Sequence, residues 1–237
     1  MKLWHFYHAC AHEDIEEEVW TSIVNEHVNS LYSSGLALKL SKTYIGIVGS
    51  ENNAKKISEI FEGKGIEHEI CDISKDGWEQ VTLNKLYEFS LNNDGYVLYT
   101  HTKGAFHQSN ERNLHRQIMN ENLIDGWSRN VDLLASGFCA TGLFFLRGSP
   151  EEPFVDNGEN LEPVETNPNI KRHCGFFAGN FWWSNLAFIK DMEYPSMENR
   201  FKAEAWMNNL YDSVKGSKYM VYDLMPPNKL HDLGLGG

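Results

Sequence analysis

Basic residues are scarce: 21 Lys and Arg stand against 33 Asp and Glu, a formal charge of −12. A domain whose main task is to grip nucleic-acid phosphates carries a basic excess or a basic stripe. The balance here argues against a dedicated nucleic-acid binder. Cysteine is equally thin, with Cys10, Cys71, Cys139 and Cys174 far apart and no CxxC spacing. That pattern is neither a disulfide framework nor a Cys-rich zinc module, and it suits a reducing compartment. No stretch approaches the ~18 continuous apolar residues of a membrane helix. The opening MKLWHFYHACAHED lacks the form of a signal peptide, so the expected location is cytoplasmic. There is no Walker loop, no GxSxG and no GxGxxG, which weakens the NTPase, α/β-hydrolase and dinucleotide readings.

What is present is enough apolar material for a core: 41% hydrophobic residues, 13% of the chain aromatic, over 237 residues. No internal repeat or low-complexity linker divides it, so residues 1–237 read as a single domain. Residues 3–8 form a first candidate strand. Helical spacing follows through Val19, Trp20, Ile23, Val24, Val28 and Leu31, with Gly35 placed to end the helix. Residues 44–48 read as a second strand, and Ser50 or Asn52 caps a helix through Ile57, Ile60 and Phe61. Residues 67–71 make a weaker third strand, residues 78–91 a helix. Strands alternating with helices predict an α/β fold with a mainly parallel, three-layer sheet.

The centre of that pattern is GYVLYTHTKG, residues 95–104. Val97, Leu98 and Tyr99 form a short buried-strand signal that runs directly into His101, Thr102 and Lys103, with Gly104 closing the turn. In open α/β sheets ligands bind outside the carboxyl ends of the strands, so this turn is either a phosphate site or a solvent-exposed polar loop. Ser109 or Asn110 then caps a helix through Leu114, Ile118 and Leu123, and a second helical piece covers residues 127–134. Residues 138–146, FCATGLFFL, read as one strong strand. Residues 147–171, rich in Pro, Gly, Asn and Glu, read as a long loop or lid.

The second dense segment is residues 174–184, CGFFAGNFWWS. Its aromatic rings either stack on a sugar or belong to the core, and adjacent residues on a strand face opposite sides. A short helix at 186–192 and a longer one at 197–211 follow, the latter carrying Arg200 and Glu204 on one face as an ordinary i,i+4 pair. Residues 219–224 predict the last strand, with a tail from about 225. His5, His8, His12 and Cys10 cluster near the start but do not give a recognised zinc spacing.

The order of these features resembles a group of small viral and bacterial glycosyltransferase-like proteins. The resemblance rests on the N-terminal aromatic/His strand, SSGL at 33–36, YIGIVG, LYTHTKG, GNFWWS and RFKAEAW, and spans about Trp4 to Trp206. It implies a nucleotide-diphospho-sugar transferase fold of the GT-A type, and transfer of a sugar from a nucleotide donor, probed first as a UDP-sugar. In that fold the strand end held here by His101-Thr102-Lys103 usually carries an Asp-x-Asp metal motif. The departure puts Mn or Mg dependence in doubt, and a lysine ammonium is able to take over part of the charge neutralisation.

On that resemblance the nucleotide sits near Tyr7, His8 and Gly49. His101, Thr102, Lys103 and Gly104 contact the diphosphate, with Arg200 or His231. Asn180 with Trp182 or Trp183 holds sugar or acceptor, and Glu204 is the general base. No cofactor beyond the donor is required. The acceptor is a glycan, a small molecule or a modified base in DNA. The last makes a phage-type DNA glycosyltransferase one alternative, for which Lys103, Arg112, Arg116, Arg129, Lys171 and Arg172 would supply a basic face. A nucleotide- or carbohydrate-binding protein without turnover is the other.

Overall fold

Strand β1, Leu3–Ala11, shows almost no polar/apolar alternation because both of its faces are covered. Tyr7, Ala9 and Ala11 pack into one hydrophobic cluster, and Trp4 and Phe6 into a second on the opposite side of the sheet. The first cluster joins the sheet to helices α1 (Glu17–Ser33) and α2 (Glu51–Glu62). The second joins it to α3 (Gln80–Ser90), which gives three layers. The computed structural model describes residues 1–147, 170–172, 175–195, 202–203, 206–208 and 220–225.

Strands β2 (Leu40–Gly49), β3 (His68–Ser74) and β4 (Tyr96–His101) pair in parallel, with β1 between β2 and β4. Beyond β4 the sheet continues through β9 (Trp182–Asn185), β5 (Ala140–Gly142), β10 (Met220–Asp223) and β7 (Ile170–Arg172). The full order is β3-β2-β1-β4-β9-β5-β10-β7. Strand β9 runs antiparallel to both neighbours, and β7 antiparallel to β10; the other strands share one direction. A separate two-stranded sheet pairs β6 (Phe145–Arg147) with β8 (Gly175–Phe177).

Local chemistry accounts for the element ends. Ser50 caps α2 in a reciprocal box with Asn53. Ser109 Oγ accepts the Arg112 N–H at the start of α4, Asn110–Met119. Helix α4 runs into a π-helical segment, Asn120–Asp125, and then α5, Trp127–Ala135. A four-residue helix α6, Leu186–Ile189, packs on the α3 side. Among the described residues no helix is long and apolar enough to cross a membrane.

The single strand expected over 138–146 is corrected: the chain breaks into β5 and β6, which belong to different sheets. Phe144 takes a left-handed backbone (φ 57) and is fully buried, so it turns the chain while filling the core. Its N–H donates to the Met225 carbonyl, and the Phe145 N–H to the Asp223 carboxylate. The expected lid at 147–171 is shortened at its end by β7; residues 148–169 lie outside the described part. So do Cys174, the tail from 226, and most of the helix expected over 197–211, of which Trp206–Asn208 is a 3₁₀ turn.

Candidate functional site at the carboxyl end of β4

The carboxyl ends of β1, β2 and β4 lie side by side, and the turn after β4 is tied to its neighbours by a set of short bonds. The Thr102 N–H donates to the His8 carbonyl at 3.0 Å, and the Ala105 N–H to the Thr102 carbonyl at 3.2 Å. Thr102 Oγ1 accepts the Cys10 N–H at 2.7 Å, and the residue is buried. Thr102 therefore fastens the turn to β1, at a position expected to contact the ligand. Gly104 adopts φ +88, a left-handed conformation that favours glycine, and a Cβ there would sit 3.3 Å from Arg116 Nη1.

Beneath the turn lies an ion pair that sequence reasoning missed as a clamp. Arg116 on α4 reaches Glu26 on α1 through Nε and Nη2, the latter at 2.9 Å. Its Nη1 donates to the Lys103 carbonyl at 2.9 Å and to Asn113 Oδ1 at 3.2 Å. The Asn120 amide also donates to the Glu26 carboxylate. Glu26 and Arg116 are 90 residues apart in sequence, so no local spacing announces them.

His101 turns sideways toward the turn between β8 and β9, made of Ala178, Gly179 and Asn180. Its Nε2–H donates to the Gly179 carbonyl at 2.9 Å and lies 3.8 Å from Glu79 Oε1. Glu79, at the start of α3, accepts from the Tyr99 hydroxyl at 3.0 Å and from the Asn180 amide. Asn180, buried with φ 52, in turn accepts the Trp182 indole N–H at 2.8 Å. Asn180 thus holds Glu79 and Trp182 together inside the protein, where it was expected to meet a sugar. Glu79 itself was not singled out in the sequence, because its partners lie 20 and 101 residues away.

Both tryptophans are corrected as well. Trp182 and Trp183 are fully buried and point to opposite sides of β9, one into each core cluster. Trp182 stacks on Tyr99 with ring centroids 5.0 Å apart, and the Trp183 indole N–H donates to the Leu123 carbonyl at 2.8 Å. Neither ring presents a face for sugar stacking, because both are enclosed by the core on their own side of the sheet.

Tyr7 and His8 are displaced from their expected parts by the same burial. Tyr7 is fully buried under α1, stacked on His27 at 4.5 Å, and its hydroxyl has no hydrogen-bond partner among the described residues. His8 shares a hydrogen bond through Nδ1 with Thr82 Oγ1 at 2.9 Å on the α3 side. Burial, with the nearby positive charge of His101, pushes its pKa down to about 3, so it is neutral. Gly49 ends β2 where a Cβ would come 2.6 Å from the Ala11 carbonyl oxygen, so the glycine serves the contact with β1. Arg200, Glu204 and His231 lie outside the described residues.

His115 on α4 adds a group that the sequence did not single out. Its Nε2 is buried without a partner among the described residues, and a Cβ on Gly179 would lie 3.2 Å from it. Burial first, then the positive charges of Lys103, His101 and Arg112, lower its pKa to about 3. Lys103, His101, Arg112 and His115 are therefore gathered at one end of β4. Past the ends of β1 and β2, a cavity of about 310 Å³ is lined by residues including His12, Asp14, Glu17, Trp20 and Asn53. Phe106, half-exposed after β4, packs its ring 5.8 Å from His12.

The donor chemistry at the end of β4 does not fit the divalent ion that the fold's usual Asp-x-Asp motif holds. Lys103 brings an ammonium, Thr102 Oγ1 faces the Cys10 N–H, and His101 Nε2 carries the proton it gives to Gly179. Among the described residues no group of three His, Cys, Asp or Glu side chains is arranged to hold a metal. His5 and His8 face opposite sides of β1, with His12 beyond its end, which separates the N-terminal histidines.

The sheet, parallel in one half and with β9 reversed, gives the chain a GT-A-like α/β fold. By sequence it belongs to the family described as Domain of unknown function (DUF8361), whose profile matches residues 6–139. Residues 1–349 of S. aureus TarS superpose with a TM-score of 0.51 at 12% identity, over 98% of this chain and 63% of that one. This chain thus spans less than two thirds of the TarS structure. The 4-diphosphocytidyl-2C-methyl-D-erythritol synthase of Anaerococcus prevotii gives a TM-score of 0.47 at 10% identity, over 94% of this chain and 88% of that one. A Desulfovibrio desulfuricans protein described as a candidate nucleotide-diphospho-sugar transferase gives 0.45 at 6% identity, over 95% and 81%. No curated protein matches the chain by sequence.

Proposed function

We propose that the chain is a glycosyltransferase that moves a sugar from a nucleotide-diphosphate donor, a UDP-sugar being the first to test, to an acceptor hydroxyl. The observation that carries this reading is the cationic turn at Lys103, anchored from below and sited at the carboxyl end of the central strand. The nucleoside half of the donor occupies the cavity past β1 and β2, and the diphosphate lies over Lys103 and Gly104. The developing charge on the leaving diphosphate is then met by the Lys103 ammonium and turn amides, without a divalent ion. Arg200 and His231 assist, and Glu204 takes the proton of the acceptor hydroxyl, as the family resemblance implies.

The test is donor binding and turnover, each in EDTA and in manganese. A ligand that binds only the native state raises the melting temperature, so a UDP-sugar is expected to do so in EDTA. Lys103→Ala is expected to lose roughly 100-fold in transfer, in line with removal of one charge-stabilising donor. Near-wild-type turnover of that variant in EDTA sinks the lysine-for-metal idea. The absence of a shift with any nucleotide sugar sinks the donor reading itself, and donor binding without turnover on any acceptor leaves a binding module.

A further inference from the structure

We infer that Arg116 is a positioning residue: it sets the plane of the peptide between Lys103 and Gly104, so that the Gly104 N–H is presented to the diphosphate. The inference rests on the reading of this turn as the diphosphate site. Its geometry is independent of that reading. An arginine fork matches a carboxylate with two parallel donors, and here Nε and Nη2 are both engaged by Glu26. That leaves Nη1 for the Lys103 carbonyl, with Asn113 Oδ1 as its second acceptor. Glu26 comes from α1, Arg116 from α4, and Asn120, which steadies the carboxylate, from the π-helical segment. Three elements thus converge to fix the direction of the Lys103 carbonyl.

The consequence follows from peptide planarity. In a trans peptide the N–H points opposite to the C=O. With the Lys103 carbonyl drawn onto Arg116, the Gly104 N–H is turned away from α4. That N–H has no protein partner among the described residues. Gly104 is also at φ +88, where a flip of the preceding peptide is sterically open to glycine in a way it is not to other residues. Arg116 closes off that alternative. An amide held in place before the ligand arrives binds an anion without first having to reorient.

The experiment follows the backbone amide of Gly104 by ¹⁵N–¹H spectroscopy while uridine, cytidine, guanosine and thymidine diphosphates are titrated into the full chain. The Gly104 peak of the wild type is expected to shift downfield with the nucleotide that binds. Arg116→Lys, which keeps the charge and loses the fork, is expected to bind about tenfold more weakly and to show a smaller Gly104 shift. Glu26→Gln, which loosens the fork from its other end, is the second variant and is expected to move both readouts the same way, should Arg116→Lys not fold. A merely structural arginine would lower the melting temperature and leave the Gly104 shift as in the wild type.

Two outcomes separate the claims. If Lys103→Ala weakens binding but the Gly104 peak stays put, or the folded Arg116 variant binds like the wild type, the positioning inference is overturned and the site stands. If none of the four diphosphates binds the wild type, or Lys103→Ala binds as well as the wild type, the site reading fails and takes the inference with it.

Discussion

Lowering the pH from 7.5 to 5 is expected to remove about 4 kcal/mol of stability through the buried His5 and His8, with His27 adding to the loss in the same direction. His5, His8 and His27 are all buried. His5 bonds Thr43 and Thr100 through its two ring nitrogens, and His27 Nε2 approaches both Thr100 and His5. Burial pushes the pKa of His5 and of His8 down to about 3, and that of His27 well below its ordinary value, with the positive charges of neighbouring histidines adding to the effect for His8 and His27. Above pH 6.5 neither the native nor the unfolded imidazoles are protonated, and the groups contribute nothing to the pH dependence. As the pH falls below 6.5 the unfolded chain takes up protons that the native fold refuses, so stability is lost down to the native values near 3 for His5 and His8. At pH 5 that loss is about 2 kcal/mol each for His5 and His8, against a total stability of roughly 5–15 kcal/mol for a typical domain. Urea denaturation at pH 7.5, 6 and 5 measures it directly. A stability that is flat across this range would contradict the neutral, buried state of the cluster; His27→Gln is expected to make the slope shallower.

Trp183→Ala and Trp182→Ala are each expected to cost about 3–5 kcal/mol of stability. Each removes a fully buried ring and orphans a buried acceptor, the Leu123 carbonyl in one case and Asn180 Oδ1 in the other. The Trp182 change also strips the stacking partner from Tyr99, whose hydroxyl supports Glu79. Urea midpoints are the measurement. A Trp183→Ala protein with wild-type stability but lost sugar binding would restore the ring to a ligand-facing role.

The parallel half of the sheet was legible because its signals are local. Ser50 caps a helix directly after a β-branched run, and the strands from β1 to β4 alternate with helices whose apolar faces are regularly spaced. The 138–146 segment defeated that reasoning because, Thr141 aside, it is apolar: nothing in its composition marks Phe144 as the residue that turns left-handed. The placement of the candidate turn was also legible, since strand ends in such sheets are where polar groups matter. What holds it was not. Arg116, Glu26, Glu79 and Asn180 act on the turn from positions up to about a hundred residues away in the chain, and only the folded sheet brings them together. The GNFWWS aromatics misled for a related reason, because an aromatic-rich segment reads alike whether its rings face a ligand or a core.

The reversed strand between β4 and β5 also governs the order in which the chain is able to complete its sheet during synthesis. The four-stranded parallel portion is finished at His101, and β5 follows at Ala140–Gly142, but the two lack a direct pairing until Trp182–Asn185 has been made and slotted between them. At ribosomal rates that interval is on the order of ten seconds. Throughout it the Tyr96–Tyr99 side of β4 is an unpaired apolar edge, the kind of surface that recruits a neighbouring chain. A fragment ending near residue 139, where the family match stops, would keep that edge permanently.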